Sequence, residues 1–280
     1  MENHNTNLSV KDYLVSGETF SLVYDQNLDL LKTIPQPIEE ELSKYYESQE
    51  YISHTDTKRG LLPLLYQLVK KWSLKNKTNL IFRQNNGPGS LLDVGAGTGD
   101  FLNVAKTKGW EVYGMEPNKN ASRLALEKGI TLESNLDKFI GKQFDVVTLW
   151  HVLEHIPNLE ETIDTLSKLV KTNGVLIIAV PNYKSFDAQY YKEFWAAYDF
   201  PIHLLHFSKK SIEKLFSKDF ILEETKPMIF DSFYVSLLSE KYKTESKFSV
   251  KAIWIGLKSN LKARKTKEYS SHIYCFKKTV

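Results

Sequence analysis

The sequence predicts an α/β protein with a mainly parallel sheet covered by helices on both faces. From residue 90 onward, short apolar strands alternate with helical patterns, which is typical of such a sheet. Between the first of these strands and its helix, residues 95–99 carry glycines at alternate positions. Glycines there allow a tight turn and let a ligand approach the main chain closely, beside the free N–H groups of the helix. The sequence therefore predicts a ligand site at the carboxyl ends of the strands.

The N-terminal segment, residues 1–87, is predicted to form a largely helical cap in front of the sheet. Helical patterns cover residues 38–46, with acids in the first turn, and residues 57–75, where apolar side chains recur at helical spacing. Residues 15–23 predict a strand or a hairpin instead. The Gly-Pro-Gly run at 87–89 ends the cap, and the core domain follows.

The core domain, residues 88–280, is predicted to contain seven strands and the helices between them. Gly174 is expected to cap the end of the third helix, and Ser208 the start of the fourth. A basic, amphipathic insertion at about 230–268 separates the last two strands, and we expect it to line part of a ligand pocket. The predicted strands are residues 90–94, 110–115, 130–133, 144–149, 174–180, 219–226 and 271–278, and the predicted helices are residues 99–108, 119–128, 159–171 and 209–216.

The positive charge is concentrated near the C-terminus. Residues 241–280 contain eleven Lys and Arg residues against two acids, a balance of +9, so the other 240 residues sum to −6 within the net charge of +3. We interpret this segment as a solvated lysine-rich surface. The alternatives are contact with an anionic substrate, a nucleic acid or a membrane surface.

Composition excludes several classes of protein. No apolar run approaches the ~20 residues that a membrane span needs. Cys275 is the only cysteine, which excludes an intrachain disulfide and a multi-cysteine metal site. The polar N-terminus has no signal-peptide pattern, so we expect a cytoplasmic protein.

The glycine turn has the spacing Asp93-x-Gly95-x-Gly97-x-Gly99, and Glu116 ends the following strand pattern. A dinucleotide motif would need glycine at position 100, which is aspartate. The observed pattern resembles motif I of the class I methyltransferases that depend on S-adenosyl-L-methionine (SAM).

The resemblance implies a Rossmann-like, seven-stranded sheet with helices on both faces, and SAM as the cofactor. It also implies that Asp93 approaches the methionine amino group, that the glycines pass beside the cofactor and that Glu116 binds the ribose. The cofactor-binding residues that we expect are Asp93, Gly95, Ala96, Gly97, Gly99, Glu116, Asn118, Trp150 and His151.

A looser resemblance covers the N-terminal segment. Many methyltransferases of this group begin with a zinc ribbon, followed by T-x-P-x-P and Y-Y…Y-x-x-H runs. Residues 33–37 and 45–54 match these runs, but residues 24–27 hold no cysteine where the second pair would stand. We expect a metal-free relic of the ribbon.

The segment after the predicted fourth strand of the sheet, residues 151–155, resembles the E-x-x-E-H sequence of small-molecule O-methyltransferases. In some members the two glutamates and the histidine bind a divalent metal, but here His151 replaces the first glutamate. We expect no metal, with Glu154 and His155 fixing the loop; a metal site on one face of a helix beginning at 151 is the alternative. His151 is assigned as a catalytic residue and is expected to contact cofactor or substrate. The similar inverted zinc-protease motif belongs to another fold.

An aromatic stretch at 186–200 leads into Pro201-Ile202-His203-Leu204, as in many family members. Such a lid suits a flat or apolar acceptor, although about half of its rings are expected to be core. We assign His203 as the general base, because a neutral imidazole can take a hydroxyl proton. A structural hydrogen-bonding role is the alternative for this residue.

These features predict SAM-dependent methyl transfer to an oxygen, rather than a nitrogen or carbon, of a small-molecule acceptor. A first alternative is methylation of RNA or another macromolecule, with the basic insertion as its binding surface. A second is a SAM-binding protein without turnover.

Overall fold

The computed structural model describes residues 8–13, 15–37, 61–245 and 249–279. The strands of the described residues are, in chain order, β1 (Leu8–Lys11), β2 (Thr19–Asp25), β3 (Leu30–Ile34), β4 (Ser90–Val94), β5 (Glu111–Met115), β6 (Phe144–Trp150), β7 (Val170–Pro181), β8 (Leu205–His206), β9 (Phe220–Pro227) and β10 (Ser271–Lys278). The helices are α1 (Leu61–Asn85), α2 (Asp100–Thr107), α3 (Lys119–Leu126), α4 (Leu159–Leu169), α5 (Phe186–Tyr191), α6 (Lys209–Phe216), α7 (Asp231–Thr244) and α8 (Val250–Thr266).

The central sheet has the strand order β5-β4-β6-β7-β10-β9. Strands β4 to β7 are parallel to one another, and β10 runs antiparallel to both β7 and β9. Because the four parallel strands point the same way, their carboxyl ends meet at one edge of the sheet. That edge carries the glycine turn.

Both faces of the central sheet are buried. Alternate residues of each inner strand belong to different cores: Leu91, Val146 and Ile177 pack with α1, α2 and α3, whereas their neighbours in sequence pack with α4 and α6. This two-sided burial explains why the strands are continuous apolar runs rather than alternating ones.

The predicted α/β architecture is confirmed, with one strand fewer in the central sheet than expected. Residues 130–133 form no strand among the described residues; Glu133 makes a single parallel bridge to Met115 at the outer edge of β5. The polar run that follows residue 132 offers little apolar surface to bury on that edge.

The prediction of a glycine cap at Gly174 is wrong. Helix α4 ends at Leu169, and Gly174 lies within β7. A Cβ at this position would lie 2.8 Å from the carbonyl oxygen of Lys171 and 3.1 Å from that of Asp145. Glycine is needed here for a close approach of two backbones. The Ser208 cap is confirmed, because its side chain accepts a hydrogen bond from the Ser211 N–H.

The N-terminal cap is helical only in part. Residues 61–85 form α1, but the described residues between 8 and 34 form β1, β2 and β3, which continue into β8 as a four-stranded antiparallel sheet. Residues 19–25 confirm the predicted strand, and the helix predicted at 38–46 lies outside the described residues.

This second sheet, the aromatic stretch and the insertion share one hydrophobic core. Four of the seven predicted lid rings are buried in it, and helices α7 and α8 contribute further apolar side chains. The buried Asp187 carboxylate ties the aromatic stretch to α8 and to the residue before β10, because it accepts hydrogen bonds from Trp195 Nε1 at 2.8 Å, Ser259 Oγ at 2.6 Å and Ser270 Oγ at 2.7 Å. We call the assembly of second sheet, aromatic stretch and insertion the accessory unit: residues 8–13, 15–34, 183–207, 231–245 and 249–266.

No helix within the described ranges is long and apolar enough to cross a membrane.

Candidate functional site

Three predicted site segments meet at the carboxyl edge of the central sheet. The glycine turn follows β4, Glu116 follows β5 and Trp150 ends β6. Val94 pairs with Met115 on one side and with Leu149 on the other, so the three segments are neighbours. The structure thus brings the predicted cofactor residues together.

The three glycines of the turn all have positive φ, between 53° and 72°, but they have different neighbours. A Cβ on Gly95 would lie 2.4 Å from Val152 Cγ2, and one on Gly99 would lie 2.9 Å from Ala125 Cβ. A Cβ on Gly97 would meet nothing within 4 Å. Gly95 and Gly99 therefore serve packing, whereas Gly97 borders open space.

Glu116 is turned back toward the glycine turn. Its Oε2 accepts a hydrogen bond from the Gly97 N–H at 2.8 Å, and its Oε1 accepts one from the Asn118 N–H at 2.9 Å. Burial raises the pKa of Glu116, although the two N–H donors partly oppose that rise. Asn118 caps α3, because its side-chain oxygen accepts the N–H groups of Asn120 and Ala121.

Asp93 is a buried carboxylate at the end of β4. Its Oδ1 accepts a hydrogen bond from Thr148 Oγ1 at 2.6 Å. Burial raises the pKa of Asp93 to about 7, against the opposing effects of the Thr148 hydroxyl and the positive charge of Lys77. Asp93 is therefore poised between its neutral and ionised forms near neutral pH.

Lys77 reaches the site from α1. Its Nζ lies 4.3 Å from the centroid of the Trp150 ring, and burial lowers its pKa while Asp93 and Asp231 favour its charge. The Trp150 Nε1 atom is buried without a hydrogen-bond partner among the described residues. The site thus contains a buried lysine amine and an unpaired polar atom beside the open space at Gly97.

His151 lies between two carboxylates. Its Nδ1 is 3.2 Å from Glu154 Oε1, and its Nε2 is 3.3 Å from Asp231 Oδ2, at the start of α7. Burial disfavours the imidazolium, but the hydrogen bonds to Asp231 and Glu154 outweigh it and raise the His151 pKa to about 10. His151 is therefore a cation near neutral pH, and it joins the insertion to the cofactor edge.

No helix begins at residue 151, although the alternative metal site assumed one there. His151 has φ of 57°, in the left-handed region, and only the short 3₁₀ turn Leu153–His155 follows it. The turn nevertheless brings His151 and Glu154 into contact, as the helix would have done.

Glu154, His155 and His203 form a cluster in which one ligand atom from each lies within 4.8 Å of the others. Glu154 Oε2 is buried and has no hydrogen-bond partner among the described residues. Burial lowers the pKa of His155, and burial together with neighbouring imidazoles holds the pKa of His203 well below its usual value. Both histidines are therefore neutral.

The protonation of His203 follows from its partners. Nδ1 lies 2.9 Å from the Ala197 carbonyl oxygen, which can only accept, so Nδ1 carries the proton and Nε2 is the basic nitrogen. Nε2 is 3.8 Å from Asp199 Oδ2. Burial, with the nearby charges of Asp12 and Glu154, raises the pKa of Asp199 to about 7.

Three residues of the site were not predicted from the sequence: Lys77, Asp231 and Asp199. Lys77 and Asp231 lie far along the chain from the residues that they face, whereas Asp199 is only four residues before His203. None of the three belongs to a recognisable motif. Lys77 and Asp231 lie on helices whose orientation toward the sheet edge is set by tertiary packing.

Known protein families and solved structures include proteins similar to this chain. The family model described as a methyltransferase domain matches residues 68–219, just over half of the chain. A ubiquinone biosynthesis O-methyltransferase from Erwinia tasmaniensis is 35% identical over 106 residues, and that from Escherichia coli is 34% identical over 103. These alignments cover 34% and 33% of this chain, and less than half of either relative, 43% and 42%.

Solved structures share the fold at low sequence identity. A magnesium protoporphyrin IX methyltransferase from Synechocystis with bound S-adenosylhomocysteine has a TM-score of 0.57 and 16% identity, and the match covers 86% of this chain and all of that one. The cyclopropane synthase MmaA2 from Mycobacterium tuberculosis has a TM-score of 0.51 and 15% identity, covering 72% of this chain and 83% of that one. At such identities the likeness concerns the fold alone.

Proposed function

The chain belongs to the methyltransferase-domain family, and on that premise we propose that it transfers the methyl group of SAM to a hydroxyl oxygen of a small-molecule acceptor. SAM is the cofactor of this family. The observation that carries the proposal is the glycine turn with open space at Gly97, bordered by the acids Asp93 and Glu116. The partial similarity to O-methyltransferases supports oxygen as the acceptor atom.

The residues at the sheet edge fit SAM. Asp93 in its ionised form suits the methionine amino group. The amine of Lys77 offers hydrogen-bond donors suited to the methionine carboxylate. Glu116 is placed to accept hydrogen bonds from the ribose hydroxyls. We propose that Ala96, Asn118, Trp150 and His151 complete the cofactor contacts, while Gly95 and Gly99 shape the turn.

When bound, SAM supplies a methyl group already activated on a sulfonium, so the protein has mainly to align the acceptor and exclude water. We propose His203 as the general base, because its neutral Nε2 can take the acceptor's hydroxyl proton. His151 is a cation and therefore cannot be that base. We assign it a contact role beside the cofactor.

The cluster of Glu154, His155 and His203 also fits a divalent metal ion. It offers a buried carboxylate oxygen without a partner and two neutral imidazoles, the form in which histidine binds metals. These three side chains would hold the ion, with His203 Nε2 then serving as a ligand in place of its role as the base. A bound metal would lower the pKa of an acceptor hydroxyl. The expectation of no metal rested on Glu154 and His155 fixing the loop, whereas this cluster contains His203 as its third member.

The cofactor is tested first, by native mass spectrometry of the purified protein and then by calorimetric titration with SAM and S-adenosylhomocysteine. We expect a co-purified or titratable ligand. A folded protein that binds neither compound would overturn the proposal.

The acceptor atom is tested with labelled SAM and a matched pair of aromatic acceptors, a phenol and the corresponding aniline. We expect transfer to the phenol. Transfer to the aniline alone would refute oxygen as the acceptor atom. Repeating the phenol assay after chelation, and then with Mg²⁺, Mn²⁺ or Zn²⁺ restored, tests the metal; binding of the same ions is measured separately by calorimetry.

We also keep the cytoplasm as the proposed location, since the only cysteine, Cys275, is a buried free thiol of the kind found in reducing compartments.

A further inference from the structure

Helix α8 carries most of its large apolar side chains on the outside. Apart from Ile255, its buried positions are small, namely Ala252, Gly256, Ser259 and Ala263. A Cβ on Gly256 would lie 2.9 Å from Phe233, so this face packs tightly on α7. Five large apolar residues at helical spacing are exposed by 40–72%, namely Val250, Ile253, Trp254, Leu257 and Leu261. An ordinary surface helix shows the reverse arrangement.

The exposed apolar stripe continues onto neighbouring elements. Asn260 of α8 donates a hydrogen bond to the carbonyl oxygen of Ile229, which is 42% exposed. The next residue, Phe230, is 41% exposed and packs edge-on against Trp72 of α1 with ring centroids 5.0 Å apart. We call the combined surface the apolar ridge: Val250, Ile253, Trp254, Leu257, Leu261, Ile229, Phe230 and Trp72. Isolated exposed apolar residues are ordinary, but a contiguous set marks an interaction surface.

Positive charge flanks the apolar ridge. Helix α8 contains five Lys and Arg residues and no acid. At 100° per residue, Lys251, Lys258, Lys262 and Lys265 all fall on one flank of the stripe, between it and the buried face. Lys258 and Lys262 place their Nζ atoms 5.4 and 4.0 Å from the ring centroid of Phe186. Within the part of the chain that the structure describes, Lys251 is the one basic residue of this helix that forms an ion pair, with Glu240 at 3.3 Å.

The apolar ridge also adjoins the candidate site. Phe230 immediately precedes Asp231, whose carboxylate contacts His151 at the cofactor edge. Trp72 lies on α1, the helix that brings Lys77 into the site. A molecule covering the ridge would therefore lie beside the elements that carry Asp231 and Lys77.

We propose that the apolar ridge docks on the surface of an anionic lipid bilayer. An apolar stripe with Trp at its centre and lysines along its flank has the chemistry of a helix that lies in the membrane interface. The apolar residues enter the acyl boundary, and the lysines meet anionic headgroups. A nucleic acid would use the lysines but would leave the exposed Trp254, Leu257 and Leu261 without a role. The docking is independent of methyl transfer, since it needs neither cofactor nor acceptor.

The test is co-sedimentation of the full chain with vesicles of phosphatidylcholine alone and of phosphatidylcholine mixed with phosphatidylglycerol, without SAM. We expect binding to the anionic vesicles that weakens with salt. Trp254→Glu combined with Leu257→Glu should reduce that binding at least tenfold. The matched control combines Leu126→Glu with Ile140→Glu, two apolar residues that are 61% and 75% exposed on other elements, and should bind as the wild type does.

Three kinds of outcome would overturn the proposal. The first is a failure of the vesicle test, which means either no preference for anionic vesicles or an equal loss of vesicle binding in the test and control variants. The second is a wild-type dimer in sedimentation velocity that the test variant converts to a monomer, because the ridge would then join two copies. The third is tight binding to single-stranded RNA that survives the test variant. Retained melting temperature and SAM affinity in the test variant show that it is folded and that the proposed function is intact.

Discussion

Protonation of Asp93 should control how tightly the chain binds SAM. Burial raises its pKa to about 7, and the proposed partner is the positively charged amino group of the cofactor. Only the carboxylate form attracts that group. Cofactor affinity should therefore fall as the pH drops below 7.

The size of the effect follows from the pKa. If binding requires the carboxylate, the apparent dissociation constant is inversely proportional to the fraction of free protein in which Asp93 is ionised. Between about pH 7.5 and about pH 5.5 it should rise about 25-fold, which corresponds to about 1.9 kcal/mol. His151 does not account for it, because its pKa of about 10 keeps it charged over that range.

The assay is calorimetric titration with SAM across this pH range. Asp93→Asn should bind more weakly and show no pH dependence. Thr148→Val should move the weakening to higher pH, since it removes the hydrogen bond that favours the carboxylate. Asp199 also has a pKa of about 7, but Asp199→Asn should keep the wild-type pH dependence because Asp199 lies at His203 and not at the glycine turn.

A wild-type affinity that stays constant over this range would refute the proposed role of Asp93. So would an Asp93→Asn variant that retains the same slope, because another group would then be titrating.

The raised pKa also predicts a stability effect without cofactor. The folded chain holds the Asp93 proton more tightly than the unfolded chain, where the usual pKa is 3.8, so the free energy of unfolding should fall as pH rises from about 4 to 7. Asp93→Asn removes this loss and should raise the melting temperature at about pH 8. The gain in the free energy of unfolding has an upper bound of about 4 kcal/mol. An unchanged melting temperature at that pH would show that the buried charge is compensated in the folded state.

Three further predictions concern other residues. Gly97→Val should weaken SAM binding at least about 100-fold by filling the open space, whereas Gly141→Val, which is also at positive φ and has no close neighbours, should bind normally; equal affinities would contradict the assignment of the turn. His203→Ala should reduce turnover at least about 100-fold with SAM affinity unchanged; loss of both would make it structural, and loss of calorimetric metal binding would make it a ligand. Asp187→Ala strands three buried donors and should lower the free energy of unfolding by about 3–5 kcal/mol, against about 1 for Ser270→Ala, and comparable values in denaturant titrations would contradict its anchoring role.

Local pattern was sufficient for six strands of the central sheet, although it also predicted a strand at 130–133 that the sheet lacks. The apolar runs at β4, β6 and β7 and the glycine turn are short-range features, and each depends on residues within about ten positions of one another. The errors arose where two segments approach each other. Gly174 looks like a helix cap in sequence, but its backbone neighbour is Asp145 on another strand.

The candidate site, like the sheet, was predictable from the sequence only in part. Asp93, Gly97 and Glu116 follow directly from motif spacing, because parallel strands bring their carboxyl ends to one edge. Lys77 and Asp231 approach that edge from helices that are distant in sequence, and no spacing rule connects them to it.

The sequence by itself determined the fold class, the glycine turn and the family resemblance, because periodicity and turn chemistry are encoded locally. Only the tertiary structure decided which apolar faces are covered. The aromatic stretch is the core of the accessory unit, while the apolar stripe of α8 with Trp254 at its centre faces outward. Both are apolar patterns in sequence, and the difference lies in whether another segment packs against them. That depends on contacts between residues far apart in the chain, which periodicity does not report.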